Sequence, residues 1–115
     1  MTNNGIKDVR GKVMLHLLCP GFLIEMGRVR EMGTLKYGSP WGWTEGTANY
    51  TDFYDAALRH MLAWHLGENT DPESGLPHLA HAGVSLMFLS EFARSGKGLD
   101  NRPTGLLVDI ASEKR

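Results

Sequence analysis

The stretch HLAHAGVSLMFLSEFARS, residues 78–95, limits the fold more than any other part of the chain. It contains no proline, and Leu86, Met87, Phe88 and Leu89 follow one another without a polar residue. On a helix those four side chains point nearly all round the axis, and a helix that is apolar all round has to be buried. Upstream, Asp71-Pro72 is a helix-start signal: the Asp side chain accepts from free backbone N–H groups, and proline suits the first helical position. Gly75 and Pro77 leave the exact start open between them, and Gly96 ends the helix.

Two further helices are expected. From Pro20 the spacing turns helical, with Phe22, Met26 and Val29 on one stripe and Gly33 placed to end the helix as a C-cap. A loop, KYGSPWGWTEGTANYTD, follows from residue 36 to 52. The next helix starts near Thr51 or Asp52, either a good N-cap, reads DFYDAALRHMLAWHL and stops at Gly67. No alternating strand pattern and no internal repeat stands out. The expected fold is all-α: a compact bundle of about three main helices in one domain spanning 1–115. Residues 1–12 read as a flexible arm. Residues 97–115 read as a tail whose apolar GLLVDI segment forms a last helical turn or a strand on a partner chain. Three short helices bury little surface alone, so the bundle is expected to be completed by oligomerisation, as a homodimer or tetramer.

Composition excludes several functions. The net charge of −1 over 115 residues, without a block of like charge, argues against nucleic-acid binding through a basic surface. No apolar run approaches the ~20 residues of a membrane span, and the polar first residues lack a secretory apolar segment. A cytoplasmic protein with no membrane partner is the expectation. The single cysteine, Cys19, allows neither an internal disulfide nor a four-cysteine zinc site; it reads as a small buried hydrophobe.

Several groups of residues can carry chemistry. Glu25 lies within the apolar stripe of the first helix, where a carboxylate is costly unless something pairs it. Asp55 and Arg59 share a face of the second helix, as an ordinary ion pair or as a metal ligand beside a phosphate-binding arginine. His60 and Trp64 form another pair four residues apart. His78 and His81, three apart, face the same way; HxxH alone is a weak metal motif, and neither HExxH nor a His-Asp dipeptide is present. Glu68, Asp71 and Glu73 crowd the turn ahead of the third helix, either as caps or as ligands for a hard cation, without the EF-hand pattern. In the central loop Lys36 can neutralise a phosphate, while Tyr37, Trp41 and Trp43 can stack on a base. No Walker motif and no GxGxxG occurs, so neither a P-loop nor a dinucleotide fold is supported.

Three stretches taken together resemble a known family: EMGRVREMGTLKYG at 25–38, DAALRHMLAW at 55–64 and GENTDPESGLPHLAHA at 67–82. They are similar to the phage dATP/dGTP diphosphohydrolases, relatives of the MazG-like all-α nucleoside triphosphate pyrophosphohydrolases. The last two stretches carry most of the specificity. Two departures are visible. The ExxE and ExxD pairs usual in the wider superfamily are replaced by Asp55…Arg59-His60 and His78-x-x-His81. The Asn-Trp that tends to follow Lys-Tyr-Gly is replaced by Trp41-Gly42-Trp43.

The resemblance implies metal-dependent removal of pyrophosphate from dGTP and dATP, with Mg2+ or Mn2+ bound by carboxylates. It further implies that dGMP feeds synthesis of 2-aminoadenine nucleotides in a phage while dATP is depleted. A triphosphate carries roughly four negative charges, and water can attack it only when these are neutralised and the nucleophile is placed. Glu25 and Asp55 are the expected catalytic carboxylates and metal ligands, with Glu68 and Asp71 as further ligands. Lys36, Tyr37, Trp43, Arg59, His60, His78 and His81 are the expected substrate contacts, the three histidines donating to phosphate oxygens or else taking part in metal binding, with Lys12 a further phosphate candidate. The alternative is a non-catalytic nucleotide-binding or helical assembly module in which the acids serve as caps.

Overall fold

The computed structural model describes residues 6–45 and 47–106. It holds three long helices, α1 (Pro20–Tyr37), α2 (Tyr50–His65) and α3 (His78–Ser95), with short 3-10 turns at Leu15–Leu17, Gly42–Glu45 and Thr104–Leu106. Among the described residues no strand forms; there are two isolated bridges, Asn49 with Leu99 and Thr70 with Pro77. The all-α expectation holds. No described helix is long and apolar enough to cross a membrane.

α1 begins where expected, with Pro20 at the first helical position, but it does not stop at Gly33. It runs one further turn to Gly38, which adopts φ 77° and donates its N–H to the Thr34 carbonyl at 2.8 Å. Only the left-handed residue closes a helix this way, and glycine reaches that conformation without a Cβ penalty.

α2 starts at Tyr50, ahead of the anticipated Thr51 or Asp52, and its N-cap Asn49 makes no side-chain cap bond. Its free N–H groups are satisfied from a distant segment instead. Tyr50 N donates to Leu99 O at 2.9 Å, and Thr51 N donates to the Asn101 side chain at 3.1 Å.

α3 starts after Pro77, not at Asp71. Residues 71–76 form a closed turn. Asp71 N donates to Leu76 O (2.9 Å), Gly75 N donates to Asp71 O (2.7 Å), and Gly75 sits at φ 73°. The chain then bonds back once more, His78 N to Asn69 O at 3.0 Å.

α3 packs against both other helices, and these are the principal contacts of the fold. On one side Val29 of α1 meets Ala80 and Val84, with Met26, Leu76 and Phe88 packed around them. A Cβ on Gly83 would lie 2.7 Å from Phe22 Cζ and 2.8 Å from Met26 Sδ, so glycine permits this close approach of α1. On the other side Phe92, fully buried, meets Tyr50 and Phe53 of α2 and Trp43 of the loop at centroid distances of 5.2–5.9 Å.

One more expectation needs correcting. Cys19 is exposed, because the segment that carries it leads into α1 outside the α1–α3 contact. Leu86 is 52% exposed and Met87 39%, so a single chain does not cover α3 all round. Of the predicted arm, residues 6–12 are exposed and non-helical, and residues 1–5 lie outside the described residues; so do residues 107–110 of the GLLVDI segment.

Candidate functional site

A cavity of about 580 Å³ opens between α1, the central loop, α2 and the 71–75 turn, with α3 as its floor. That volume is in the range of small-molecule sites. α1 presents Arg30, Lys36 and Tyr37 to it; Trp43 and Phe53 add aromatic surface; His60, Asp71, Ser74 and His81 form its polar end.

The polar end is built by three elements. His60 comes from α2, His81 from the first turn of α3, and Asp71 from the turn between them. One potential ligand atom from each lies within 4.8 Å of the others, and this is the group of metal-ligating side chains found among the described residues. The His60 and His81 rings stack at 4.5 Å with 10° between planes. His81 Nε2 is 2.7 Å from Ser74 Oγ and 3.6 Å from Asp71 Oδ2. Asp71 is held in place by its own turn, since Oδ1 accepts from Glu73 N at 2.9 Å. Ser74 Oγ likewise accepts from Leu76 N at 3.1 Å.

Behind His60 lies His78, buried, with the two Nδ1 atoms 2.9 Å apart. His78 Nε2 in turn is 2.6 Å from Glu68 Oε1. Burial pushes the pKa of His60 below the ordinary histidine value; His81 and His78 push the same way and Asp71 opposes. Burial also lowers His81, again against Asp71. Both rings are therefore neutral near pH 7, the form that binds metal through a lone pair.

The α1 wall is cationic. Lys36 Nζ lies 3.5 Å from Glu73 Oε1 and 5.5 Å from the Tyr37 ring centroid. Tyr37 and then Glu73 raise its pKa, so it stays charged. The Arg30 guanidinium lies 5.1 Å from the Phe88 ring centroid and donates to the Pro40 carbonyl. Trp43 lines the same cavity and packs on Phe88 at 5.3 Å; its Nε1 is buried without a hydrogen-bond partner.

Thus Lys36, Tyr37, Trp43, His60, Asp71 and His81 meet at one cavity. The other anticipated site residues lie elsewhere. His78 and Glu68 stand one and two steps behind the cavity. Asp55 and Arg59 are on the exposed face of α2, because they fall out of phase with Phe53 and His60. Glu25 is half-buried on α1, in phase with Val29 and Met32 but nearer the N-terminus, and it does not line the cavity. Glu25 and Asp55 are not brought together with the His60 group within one chain. Lys12 is exposed and outside the cavity. Arg30 and Ser74 were not anticipated. Arg30 stands seven residues before Tyr37, on the same helical face, so helical phase alone could have found it. Ser74 carried no signal beyond its place in a turn.

The family model "dATP/dGTP diphosphohydrolase, N-terminal" matches residues 2–102. A protein of Salmonella phage PMBT28, named dATP/dGTP diphosphohydrolase, is 39% identical over 100 residues, which cover 87% of this chain and 31% of that protein. The chain thus spans about a third of that relative's length. No solved structure matches.

Proposed function

The chain belongs to the dATP/dGTP diphosphohydrolase N-terminal family, and on that premise we propose that it hydrolyses purine deoxynucleoside triphosphates to the monophosphate and pyrophosphate, using a divalent metal. The observation that carries this reading is the His60–Asp71–His81 group at one end of a cavity whose α1 wall carries Lys36 and Arg30. A polyanion fits between them: cations along one wall and a metal-ligating cluster at the end.

The donor set decides which ions fit. Two imidazoles and one carboxylate suit a first-row ion such as Mn2+; Mg2+ prefers an all-oxygen shell. Of the two ions implied by the family resemblance, Mn2+ is therefore the better match. When bound, it would clamp phosphate oxygens and lower the pKa of a coordinated water. Lys36 and Arg30 neutralise the phosphate tail, and Tyr37 and Trp43 offer ring faces to the base. In the reaction, the water oxygen forms a bond to the α-phosphorus while the bond to the α–β bridging oxygen breaks. The electron pair leaves on pyrophosphate, and the water proton is released to solvent, because in this reading the single lone pair of each imidazole is committed to the metal.

Glu25 and Asp55 enter this reading only through assembly. Asp55 is exposed on α2, so as a ligand it would have to serve a cavity shared with another copy. The broader role proposed is that of a phage enzyme acting on the nucleotide pool of the host cytoplasm, supplying dGMP for 2-aminoadenine nucleotides and removing dATP.

The test is turnover of dGTP and dATP with Mn2+, followed by chromatography of dGMP, dAMP and pyrophosphate. In 18O water the label is expected in the monophosphate. Asp71→Asn is expected to lower kcat by roughly two orders of magnitude or more, as loss of a charge-stabilising group at a reacting centre does, with its melting temperature little changed. Full activity in Asp71→Asn would remove this cluster from the chemistry. Unchanged turnover in Asp55→Asn and Glu25→Gln would remove those two carboxylates.

A further inference from the structure

The histidine cluster has a back as well as a front. His78 is only 5% exposed and does not line the cavity, yet both its ring nitrogens are engaged. Glu68, on the segment between α2 and α3, contacts it from the solvent side, and its own side chain is half exposed.

Hydrogen-bond accounting assigns the protons. A carboxylate only accepts, so at 2.6 Å His78 donates through Nε2 to Glu68 Oε1. A neutral imidazole has one N–H; taking His78 as neutral, the bond to Glu68 leaves a lone pair on its Nδ1. The 2.9 Å contact between the two Nδ1 atoms then takes its hydrogen from His60. His60 is thereby the Nδ1–H tautomer, and its Nε2 lone pair is left for the cluster with Asp71 and His81. The parallel stack on His81 sets the plane of the same ring.

We propose that Glu68 and His78 are positioning residues: through the chain Glu68–His78–His60 they fix the tautomer and orientation of His60, presenting its Nε2 lone pair to the cavity. Glu68 therefore acts two side chains behind the cluster and not as a ligand. The use of that lone pair rests on the metal reading above, whereas the proton arrangement belongs to the metal-free chain. Partners at one remove from a metal orient the ligating histidine and select its tautomer, and their loss costs roughly 10–100-fold in metal affinity.

The experiment has two arms on the full chain. Long-range 1H–15N spectra of the histidine rings, without metal near neutral pH, read each tautomer directly, with His60 signals assigned by their loss in His60→Asn. Wild type is expected to show Nδ1–H at His60 and Nε2–H at His78. Glu68→Gln keeps an accepting carbonyl and should keep that pattern, whereas Glu68→Ala should shift His60 toward Nε2–H. In the second arm, Mn2+ affinity from electron paramagnetic resonance should fall roughly 10–100-fold in Glu68→Ala and largely recover in Glu68→Gln. A His60 that is Nε2–H in wild type, or a Glu68→Ala variant with wild-type tautomers, overturns the proposal. If the tautomers behave as expected but Asp71→Asn binds Mn2+ as tightly as wild type, the positioning stands and the metal site falls.

Discussion

His60 and His81 lie face to face, and two imidazolium rings cannot share that arrangement without repulsion. Burial lowers the pKa of each, and Asp71 only partly offsets it. The direction of the linkage follows. A histidine whose folded pKa is depressed leaves stability intact above the ordinary value of about 6.5. Stability is then lost as pH falls through the lowered folded values, because the unfolded chain takes up protons first. In metal-free protein the urea midpoint is therefore expected to decline between about pH 7 and about pH 5. His81→Gln should decline less over the same range, since one of the two titrating rings is gone. A midpoint that stays flat in wild type would show that the rings bind protons as readily folded as unfolded.

At the scale of helices, two glycines of α1 make opposite predictions. Gly38 caps the helix at φ 77°, so Gly38→Ala should cost about 1–2 kcal/mol for the left-handed backbone. Gly33 lies inside the helix with open space where a Cβ would sit, so Gly33→Ala should stabilise by about 0.5–1 kcal/mol. Thermal melts of the two variants check both signs. The pair also shows what the sequence conceals. Gly33 and Gly38 look alike as helix stops, and only the tertiary contacts of α1 decide between them. The start of α2 was hidden because its donors bond to Leu99 and Asn101, some fifty positions away. By contrast, the end of α3 at Gly96 is a local matter and was legible. The same division runs through the site. The i, i+3 pairing of His78 and His81 was visible, but on the helix it is their unlike neighbours that matter: His81 meets Asp71 and Ser74, and His78 meets Glu68. Closure of the 71–75 turn, which brings Asp71 to His60 and His81, leaves no mark in the local spacing.

The described residues together leave much apolar surface uncovered. Leu17 is 68% exposed, Ile24 56% and Leu86 52%, and Leu15, Leu18, Phe22 and Leu23 stand in the same N-terminal region. Monomers rarely present so many large apolar side chains in one stretch. Sedimentation velocity at micromolar concentration is expected to give a dimer or tetramer, and a Leu17→Glu, Ile24→Glu double variant is expected to shift it toward monomer. A monomeric wild type would mean that other parts of a longer protein, or nothing, cover this face. One feature of the connection between α2 and α3 reaches beyond its own residues. Surface connections ordinarily accept added or missing residues. This one is cross-braced by the Asn69–His78 and Asp71–Leu76 bonds, and it aims Glu68 at His78 Nε2 and both Asp71 and Ser74 at His81 Nε2. A single inserted residue would put every one of them out of register. In homologous chains, indels should therefore gather in the aromatic loop after Gly38 and avoid the span from Leu66 to Pro77.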